Sequence, residues 1–375
     1  MPVIKETSPR TGKVSYTAVW LTPSNSKTRK RGFTTRRDAT NFLTSIESSK
    51  LTGSYVGPTA GNVTVAELGA KWLDSLSNLK ASYLRTVESA WRIRVNPRWG
   101  DRPINSILRS EVKSWIAEMT RTPQTNGKPL SVTSILRAHG ILAAILDTAL
   151  EDNLVVKNVA RGLNNLPKAD NKRHNYLTEQ QVELLSTEAR TYSTLVNLLA
   201  YTGLRWGEAT GLRVGDFNAL SRELHVTENA VMVGAVIVIG SPKNHELRTV
   251  SVAGFLIPLL ARLCEGKGRE DLIFGAGLEH LKHPDGRKSW WAYAKRRAIA
   301  IDSDIPASLT LHDLRHTAAS LMIRAGNNVL AVQKQLGHKS AAMTLDRYAD
   351  LFPDDRAAVG KSLDGQRRDA LGLAA

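Results

Sequence analysis

Residues 310–348 read TLHDLRHTAASLMIRAGNNVLAVQKQLGHKSAAMTLDRY, and they are the most informative stretch of the chain. Within it, four residues follow one another in a fixed order: His312, Arg315, His338 and Tyr348. Thr310 followed three residues later by Asp313 is typical of a capping box, so we expect a helix to begin here. His312 and Arg315 would lie on one face of its first turn, where unpaired backbone N–H groups and the helix dipole favour an anion. The pattern therefore predicts a helix that presents cationic groups to a negatively charged ligand.

The second half of the stretch predicts two further helices. An apolar helix over residues 329–336 ends at Gly337, a common helix-terminating residue, and His338 follows directly. Tyr348 comes ten residues later, in a third helical segment. Taken singly, these residues have ordinary explanations, because lone histidines and tyrosines near helix ends are usually packing residues and arginines are usually solvated. The functional interpretation rests on their joint order and on two elements upstream.

The composition of the chain indicates a polyanionic partner. Its 375 residues suffice for two or three domains, each with its own core. There are 51 Lys and Arg against 35 Asp and Glu, and the net charge of +16 favours nucleic acid first and an acidic membrane surface second. The single cysteine, Cys264, excludes an intrachain disulfide and a cysteine-based zinc cluster, and suits a reducing cytoplasm. With no leader-like N-terminus and no apolar run of about 18 residues, we expect a soluble intracellular protein without membrane contact.

Residues 1–55 predict a small α+β unit, a three-stranded sheet plus a helix, with a strongly basic surface. Residues 14–20 alternate as a half-buried strand does, and a helix is expected to begin after Thr35. Five basic residues follow that strand closely: Arg29, Lys30, Arg31, Arg36 and Arg37. We interpret them as a DNA-contacting surface, with a solvated charge run as the alternative. Residues 56–63 predict a linker.

Residues 64–165 predict an all-α domain of four helices, opened by a capping box at Thr64 and Glu67. Three arginines on these helices are candidate phosphate contacts: Arg85, Arg92 and Arg94. An ordinary exposed face would explain them equally well. No catalytic constellation occurs in this segment, so we interpret it as a binding module. Residues 166–176 are polar and basic and predict a second linker.

Residues 177–375 predict a mainly α domain with a small antiparallel sheet. Arg205 lies in TGLRWGEATGLR, directly after an apolar helix. The period then changes to that of β-strands, which we expect at 224–226, 231–239 and 249–252. Lys243 lies in the turn between the last two strands. These are the two upstream elements that join the C-terminal stretch.

The order Arg205, Lys243, His-x-x-Arg, His338, Tyr348 resembles that of the tyrosine recombinases, specifically the phage-type integrases. The resemblance covers the last 200 or so residues most strongly. It implies an N-terminal domain that binds arm-type DNA sites, a helical (SAM-like) domain that binds core sites, and a catalytic domain over residues 177–375. It also implies six catalytic residues: Arg205, Lys243, His312, Arg315, His338 and Tyr348.

These residue types suit transesterification at a DNA phosphodiester. Tyr348 would be the nucleophile that forms a covalent phosphotyrosine. Two guanidinium groups, Arg205 and Arg315, can donate forked hydrogen bonds to the non-bridging oxygens and stabilise charge in the transition state. His312 would accept the phenolic proton as general base. Cationic groups in place of carboxylate clusters make a metal unnecessary, so we expect no cofactor and no ATP requirement.

The resemblance supplies the remaining roles and partners. Lys243 would protonate the departing 5′ oxygen, and His338 would donate a hydrogen bond to the phosphate. A homotetramer would exchange strands of double-stranded DNA between a temperate phage's attachment site and a bacterial one, through a Holliday junction. A host DNA-bending protein, a phage directionality factor and a location at the bacterial nucleoid in the cytoplasm are also expected. Helices after Tyr348 (354–371) would dock on a neighbouring protomer or pack in cis, and the Leu-Ala-Ala ending resembles a degradation tag or is a frayed terminus.

Three other functions remain open at this point. A type IB topoisomerase uses similar tyrosine chemistry, but the basic N-terminal unit followed by a helical domain favours the integrase. A catalytically silent DNA-binding regulator would need neither the phenol nor the acid, and all six candidate positions are filled here. A chromosome-dimer resolvase usually lacks the extra N-terminal unit.

Overall fold

The computed structural model describes the chain except residues 1, 8–11, 24, 78, 124–126, 128, 169–173, 235, 241–246, 353–355 and 373–375, and except the side chains of 356–362. Lys243, its predicted turn and the Leu-Ala-Ala ending therefore lie outside the described residues. The chain divides into two compact units, Met1–Asn171 and Lys172–Ala375. The finer domain boundaries proposed above remain predictions.

The N-terminal part of the first unit is a small antiparallel sheet with one helix. Its elements are β1 (Val3–Thr7), β2 (Val14–Leu21), β3 (Lys27–Phe33) and α1 (Arg36–Leu51). The sheet order is β1-β2-β3, so the alternating strand is the central one. The inward side chains Ala18, Trp20 and Leu43 form a small core between the sheet and α1. This confirms the predicted small N-terminal sheet.

Helices make up the rest of the first unit. They are α2 (Val65–Asp74), α3 (Ala81–Ala90), α4 (Asn96–Trp99), α5 (Arg109–Arg121) and α6 (Val132–Glu151). A π-helical segment, Trp91–Val95, joins α3 to α4. Their apolar faces share one core, in which Trp99 and Trp115 meet edge to face at 5.6 Å. Helix α6 is long and apolar enough to cross a membrane, but half of its most apolar window is buried in this core, so it is weak evidence for a membrane span.

The second unit is mainly helical. Its helices are α7 (Glu179–Ala189), α8 (Ser193–Thr202), α9 (Trp206–Gly211), α10 (Leu256–Cys264), α11 (Trp290–Ile301), α12 (Leu311–Arg324), α13 (Val329–Leu336), α14 (Ala341–Tyr348) and α15 (Arg356–Leu371). Helix α8 packs against both α7 and α12, and α11 packs against α7. The predicted capping box at Thr310 and Asp313 is present at the start of α12. Of the helices in the C-terminal stretch, α12 therefore packs on α8, and α13 packs against both α12 and α14.

Short strands flank these helices. They are β4 (Phe217–Asn218), β5 (Glu223–Val226), β6 (Asn229–Val233), β7 (Val236–Gly240), β8 (Arg248–Ser251), β9 (Gly275–Ala276) and β10 (Glu279–His280). One antiparallel sheet has the order β4-β5-β8, and β6 pairs with β7 in a separate hairpin. The single strand predicted over 231–239 is wrong. Gly234 adopts φ +68°, which side chains with a Cβ rarely adopt, and the chain reverses there so that Val233 pairs with Val236.

Candidate active site

Five of the six predicted catalytic residues lie at or near helix ends in the second unit, and the sixth, Lys243, lies outside the described residues. Arg205 directly precedes α9, and His312 and Arg315 lie in the first turns of α12. Gly337 ends α13 in the left-handed region at φ +65°, which places His338 just beyond it. Tyr348 is the last residue of α14. The local signals read from the sequence thus position each of these five side chains.

Arg315 is anchored at the centre of the site. Its side chain is 2% exposed, and its guanidinium donates from Nη1 to the carbonyl of Gly203 at 2.5 Å and from Nη2 to the carbonyl of Leu336 at 2.7 Å. Both carbonyls belong to helix C-termini, where backbone acceptors lack intrahelical partners. Burial, reinforced by the charge of Arg205, lowers the pKa of Arg315 to about 9. Arg315 thereby ties α12 to the ends of α8 and α13, and two of its five N–H groups make these bonds.

Glu208 holds two arginines together. Its carboxylate is 1% exposed and accepts from Arg205 Nη1 at 2.7 Å and from Arg248 at 3.0 and 2.7 Å. Burial alone raises the pKa of Glu208, but the hydrogen bonds and charge of Arg248, with the charge of Arg205, outweigh it and lower the pKa to about 2. Glu208 is therefore ionised and orients Arg205.

Arg248 is a site residue that the sequence analysis missed. It lies on β8 in register with Val226 of β5, and its side chain packs against Gly337, where an added Cβ would come within 2.8 Å of Arg248 Nε. The predicted strand began at residue 249, one position too late. Residues two apart on a strand share a face, so Arg248 belongs to the same inward face as the fully buried Val250. That alternation was the signal that could have identified it.

His338 presents a ring nitrogen without a partner. Its side chain is 4% exposed, and its Nδ1 lies 2.9 Å from the hydroxyl of Thr344. Within the part of the chain that the structure describes, its buried Nε2 has no hydrogen-bond partner. Burial, then the charges of Arg315 and Arg347, lower the pKa of His338 to about 3, so the ring is neutral at neutral pH. If the Thr344 hydroxyl donates to Nδ1, then Nε2 carries the proton and can donate to an anion.

Tyr348 is buried beside this histidine, at 1% exposure, with its ring parallel to that of His338 at 6.2 Å. Its hydroxyl lies 2.7 Å from Nδ1 of His316, a residue that the sequence analysis did not single out. His316 in turn stacks on His174 at 3.8 Å between ring centroids. Burial raises the pKa of Tyr348 to about 12, although the charges of Arg315 and Arg347 act in the opposite direction.

In the described part of the chain, His312 forms no hydrogen bond with the Tyr348 hydroxyl, which its predicted role of general base would require. It lies at the exposed edge of the cluster, with its ring edge-on to His316 at 5.0 Å. Among the described residues, no hydrogen bond joins His312 to Tyr348; the contact at the phenolic oxygen is made by His316. Loss of hydration and the charge of Arg315 lower the pKa of His312. Its role as general base stays a prediction.

The cluster as a whole is suited to a phosphate. Four guanidinium groups, those of Arg205, Arg248, Arg315 and Arg347, lie close enough to His338 to lower its pKa. A phosphodiester would offset this positive charge and supply acceptors for the N–H donors. Within the described ranges, no group of three or more His, Cys, Asp or Glu is arranged to bind a metal ion.

The predicted DNA contacts of the N-terminal sheet are surface residues. Arg29, Lys30 and Arg31 are exposed on β3, where the ammonium of Lys30 lies 4.7 Å from the ring centroid of Phe42. Arg31 forms a long, exposed ion pair of 3.9 Å with Glu6. Two further exposed arginines, Arg36 and Arg37, occupy the first turn of α1. Cations there oppose the helix dipole, so an anion at this end would be favourable.

The predicted contacts of the helical domain fall on α3 and the π-helical segment. Arg85 and Arg94 line a cavity of about 360 Å³ together with Arg137 of α6, which the sequence analysis missed. Arg92 is exposed on the π-helical segment. Contact with DNA remains a prediction for all these residues.

Known proteins resemble this chain over most of its length. Residues 175–354 match the model of the phage integrase family. The ICEBs1 integrase of Bacillus subtilis (strain 168) is 26% identical over 273 residues, which are 70% of this chain and 72% of that protein. The integrase of Mycobacterium phage D29 is 27% identical over 300 residues, or 76% of this chain and 74% of that protein.

The fold matches a solved structure as well. The Tn1549 transposon integrase, solved in complex with a circular intermediate DNA, superposes with a TM-score of 0.67 at 22% identity, covering 80% of this chain and 99% of that one. At this level of identity the likeness concerns the fold, a multidomain arrangement of a helical core and a catalytic domain. With the family match over the residues that hold Arg205, Arg315 and Tyr348, the conclusion is that residues 175–354 form a phage integrase family domain, in a chain that is similar to known integrases over most of its length.

Proposed function

We propose that this site-specific recombinase cleaves and rejoins DNA through a covalent 3′-phosphotyrosine at Tyr348. The observation that carries the proposal is the buried set around that phenol. The anchored guanidinium of Arg315 and the unpaired Nε2 of His338, whose ring is parallel to that of Tyr348, both belong to one cationic cluster. A buried donor without a partner is costly in a folded protein, and a phosphate oxygen would satisfy it.

The role of each residue follows from its contacts. Arg315 and Arg205 would neutralise the non-bridging oxygens, the first held by two carbonyls and the second by Glu208. Groups held in place before the reaction need little reorganisation as charge develops, which is where much of the catalytic effect of such sites arises. His338 would donate from Nε2 to the same phosphate, and Lys243 would protonate the 5′ oxygen as it leaves.

The larger assembly belongs to the same proposal. The helices of residues 64–165 would form the four-helix core-site module, and the sheet of residues 1–55 would bind arm-type sites. A homotetramer would exchange strands through a Holliday junction in the bacterial cytoplasm, integrating and excising a temperate phage genome with a host bending protein and a directionality factor. The resemblance of the catalytic residues to those of phage-type integrases supports these partners, as does the fold match to an integrase solved on DNA.

Covalent trapping tests the proposal directly. The full-length chain is incubated with a nicked duplex carrying the junction sequence of its own element, so that the short 5′ fragment diffuses away after cleavage. We expect an adduct whose mass and peptide map locate the nucleotide on Tyr348, and none with Tyr348→Phe. An adduct on another residue would overturn the nucleophile assignment. Relaxation of a supercoiled plasmid without recombination between attachment sites would favour the topoisomerase alternative.

A further inference from the structure

We propose that His316 is the catalytic base that takes the proton of Tyr348 as the phenolic oxygen attacks the DNA phosphorus. The inference rests on the proposed function, because it concerns the nucleophile of that reaction. It assigns to His316 a step that the sequence had suggested for His312.

The first argument is contact. Among the residues the structure describes, the hydrogen-bond partner of the Tyr348 hydroxyl is Nδ1 of His316, at 2.7 Å. A general base must lie within hydrogen-bond reach of the proton it removes, and this distance satisfies that condition before any substrate arrives. His312 makes an edge-on ring contact with His316 and lies at the exposed edge. Geometry therefore favours the buried histidine.

The second argument is burial. His316 is 4% exposed and Tyr348 is 1% exposed, so bulk water has little access to the phenolic proton. A buried phenolate would be strongly unfavourable without a proton acceptor and a compensating positive charge. The acceptor must therefore already be in contact with the hydroxyl, and His316 meets this requirement.

The third argument is positioning. His316 directly follows Arg315 in α12, so the proton acceptor and the anchored guanidinium share one rigid helical turn. His174, from the segment before α7, stacks on the ring of His316 at an interplanar angle of 24° and limits its rotation. The two groups that act on the nucleophile and on the phosphate thus keep a constant separation.

The surrounding charges couple this base to the substrate. Burial, then the neighbouring histidines His174 and His312 and the charge of Arg347, lower the pKa of His316 to about 3, while Asp313 acts in the opposite direction. The free enzyme therefore keeps a neutral imidazole against a protonated phenol. A phosphodiester bound by the arginine cluster adds negative charge nearby and raises the pKa of His316. Deprotonation of Tyr348 then occurs when DNA is in place.

The step balances. The O–H bond of Tyr348 breaks and its proton passes to Nδ1 of His316, while the oxygen forms a bond to phosphorus. The bond from phosphorus to the 5′ oxygen breaks, and that oxygen leaves with a proton from a general acid. In rejoining, the 5′ hydroxyl attacks phosphorus and returns its proton to the conjugate base of that acid, while the bond from phosphorus to the phenolic oxygen breaks and that oxygen recovers its proton from His316.

The test uses His316→Asn in the full-length chain, because the asparagine oxygen can replace Nδ1 as an acceptor but cannot take up the proton. The substrate is the nicked duplex with sulfur at the bridging 5′ position, whose leaving group needs no acid. We expect single-turnover cleavage to fall by about 10²- to 10⁴-fold. Below the pKa of Tyr348, the remaining rate should rise about tenfold per pH unit, since it then depends on the small fraction of Tyr348 that is already ionised. Wild type should depend less on pH.

Controls separate the possible explanations. His225→Asn, at an exposed histidine of β5, should cleave as wild type does. A His316→Asn variant with unchanged DNA affinity that cleaves at the wild-type rate would overturn the inference. A reduced rate with the wild-type pH profile would also overturn it, because misplacement of the phenol alone gives no added hydroxide dependence. If His312→Asn acquires the steep pH profile instead, the base is His312. Failure of wild type to form any adduct would reject the proposed function itself.

Discussion

The basic surface of the N-terminal sheet and the catalytic cluster of the second unit use arginine in opposite ways. On β3 the cations are exposed, and the one ion pair among Arg29, Lys30 and Arg31 that the described residues form is a 3.9 Å contact to Glu6. In the catalytic cluster the guanidinium of Arg315 is buried and bound to two carbonyls. Exposed cations can follow a DNA backbone whose position varies, whereas anchored ones fix a phosphate at one point. The difference teaches that affinity and chemistry require different degrees of preorganisation.

Among changes to the catalytic cluster, the largest effect is expected for Tyr348→Phe. Cleavage should be lost entirely, because the phenyl ring has no nucleophilic oxygen, while affinity for the duplex should stay within about twofold of wild type. Gel-shift titration and adduct formation on the same nicked substrate measure the two quantities. A matched Tyr83→Phe change, at an exposed tyrosine of α3, should leave cleavage intact. Residual cleavage by the Tyr348 variant would contradict the assignment.

The next largest effect is expected for Glu208→Gln. It leaves two closely spaced guanidiniums, Arg205 and Arg248, without their shared charge, and breaking a buried ion pair in this way typically costs about 3–5 kcal/mol. We expect a matching fall in the free energy of unfolding of the catalytic unit, with slower cleavage because Arg205 is no longer oriented. Urea titration measures the first quantity.

A matched change at the exposed ion pair of Arg31 and Glu6 tests whether burial causes the loss of stability. Glu6→Gln removes the partner of Arg31 on the other surface, where both side chains are solvated, and should leave the urea midpoint unchanged. Equal decreases for the two variants would mean that the buried and exposed ion pairs are energetically equivalent.

The next largest effect is expected from acidification, which should lower the free energy of unfolding through the histidines of the catalytic cluster. The pKa values of His316 and His338 lie at about 3 in the folded chain, below the ordinary 6.5. Between these values the unfolded chain takes up protons that the folded chain does not, so the free energy of unfolding decreases as pH falls from about 6.5 towards 3. Glu208, lowered from 4.5 to about 2, adds a decrease in the same direction below about 4.5.

Urea titrations from pH 7 to 4 measure this slope. His316→Asn and His338→Asn should each flatten it, because the replaced side chain no longer titrates, whereas His225→Asn should leave it unchanged. A slope that both site variants leave intact would show that other groups cause the acid sensitivity.

Local signals were enough to predict much of this site, and tertiary contacts account for what was missed. The capping box at Thr310 and the helix stop at Gly337 are short-range features, so the helix ends that carry Arg315 and His338 were predictable. The partner of Tyr348 was not, because residue 316 lies 32 positions away and reaches the phenol only in the folded chain, where a side chain of α12 meets the last residue of α14.

The two strand errors have a local cause. The β-branched run over 231–239 continues on both sides of Gly234, so its side-chain pattern does not mark the reversal there. Beginning the last strand at residue 249 left Arg248 outside the inward face, although Val226, which it pairs with on β5, lies on a strand that was predicted.

The smallest effect is expected for the exposed cations of β3. Replacing Arg29, Lys30 and Arg31 with alanine should weaken binding to arm-type duplexes and lower the slope of log affinity against log salt by about 0.9 for each phosphate that the variant no longer neutralises. Cleavage of a core-site duplex should stay unchanged, because none of these three residues belongs to the catalytic cluster. Since Lys30 also packs over Phe42, the double variant Arg29→Gln and Arg31→Gln separates the effect of charge from that of packing. An equal fall in core-site affinity would mean that the sheet does not serve a second class of site, and that its cations bind the same duplex that we propose Tyr348 cleaves.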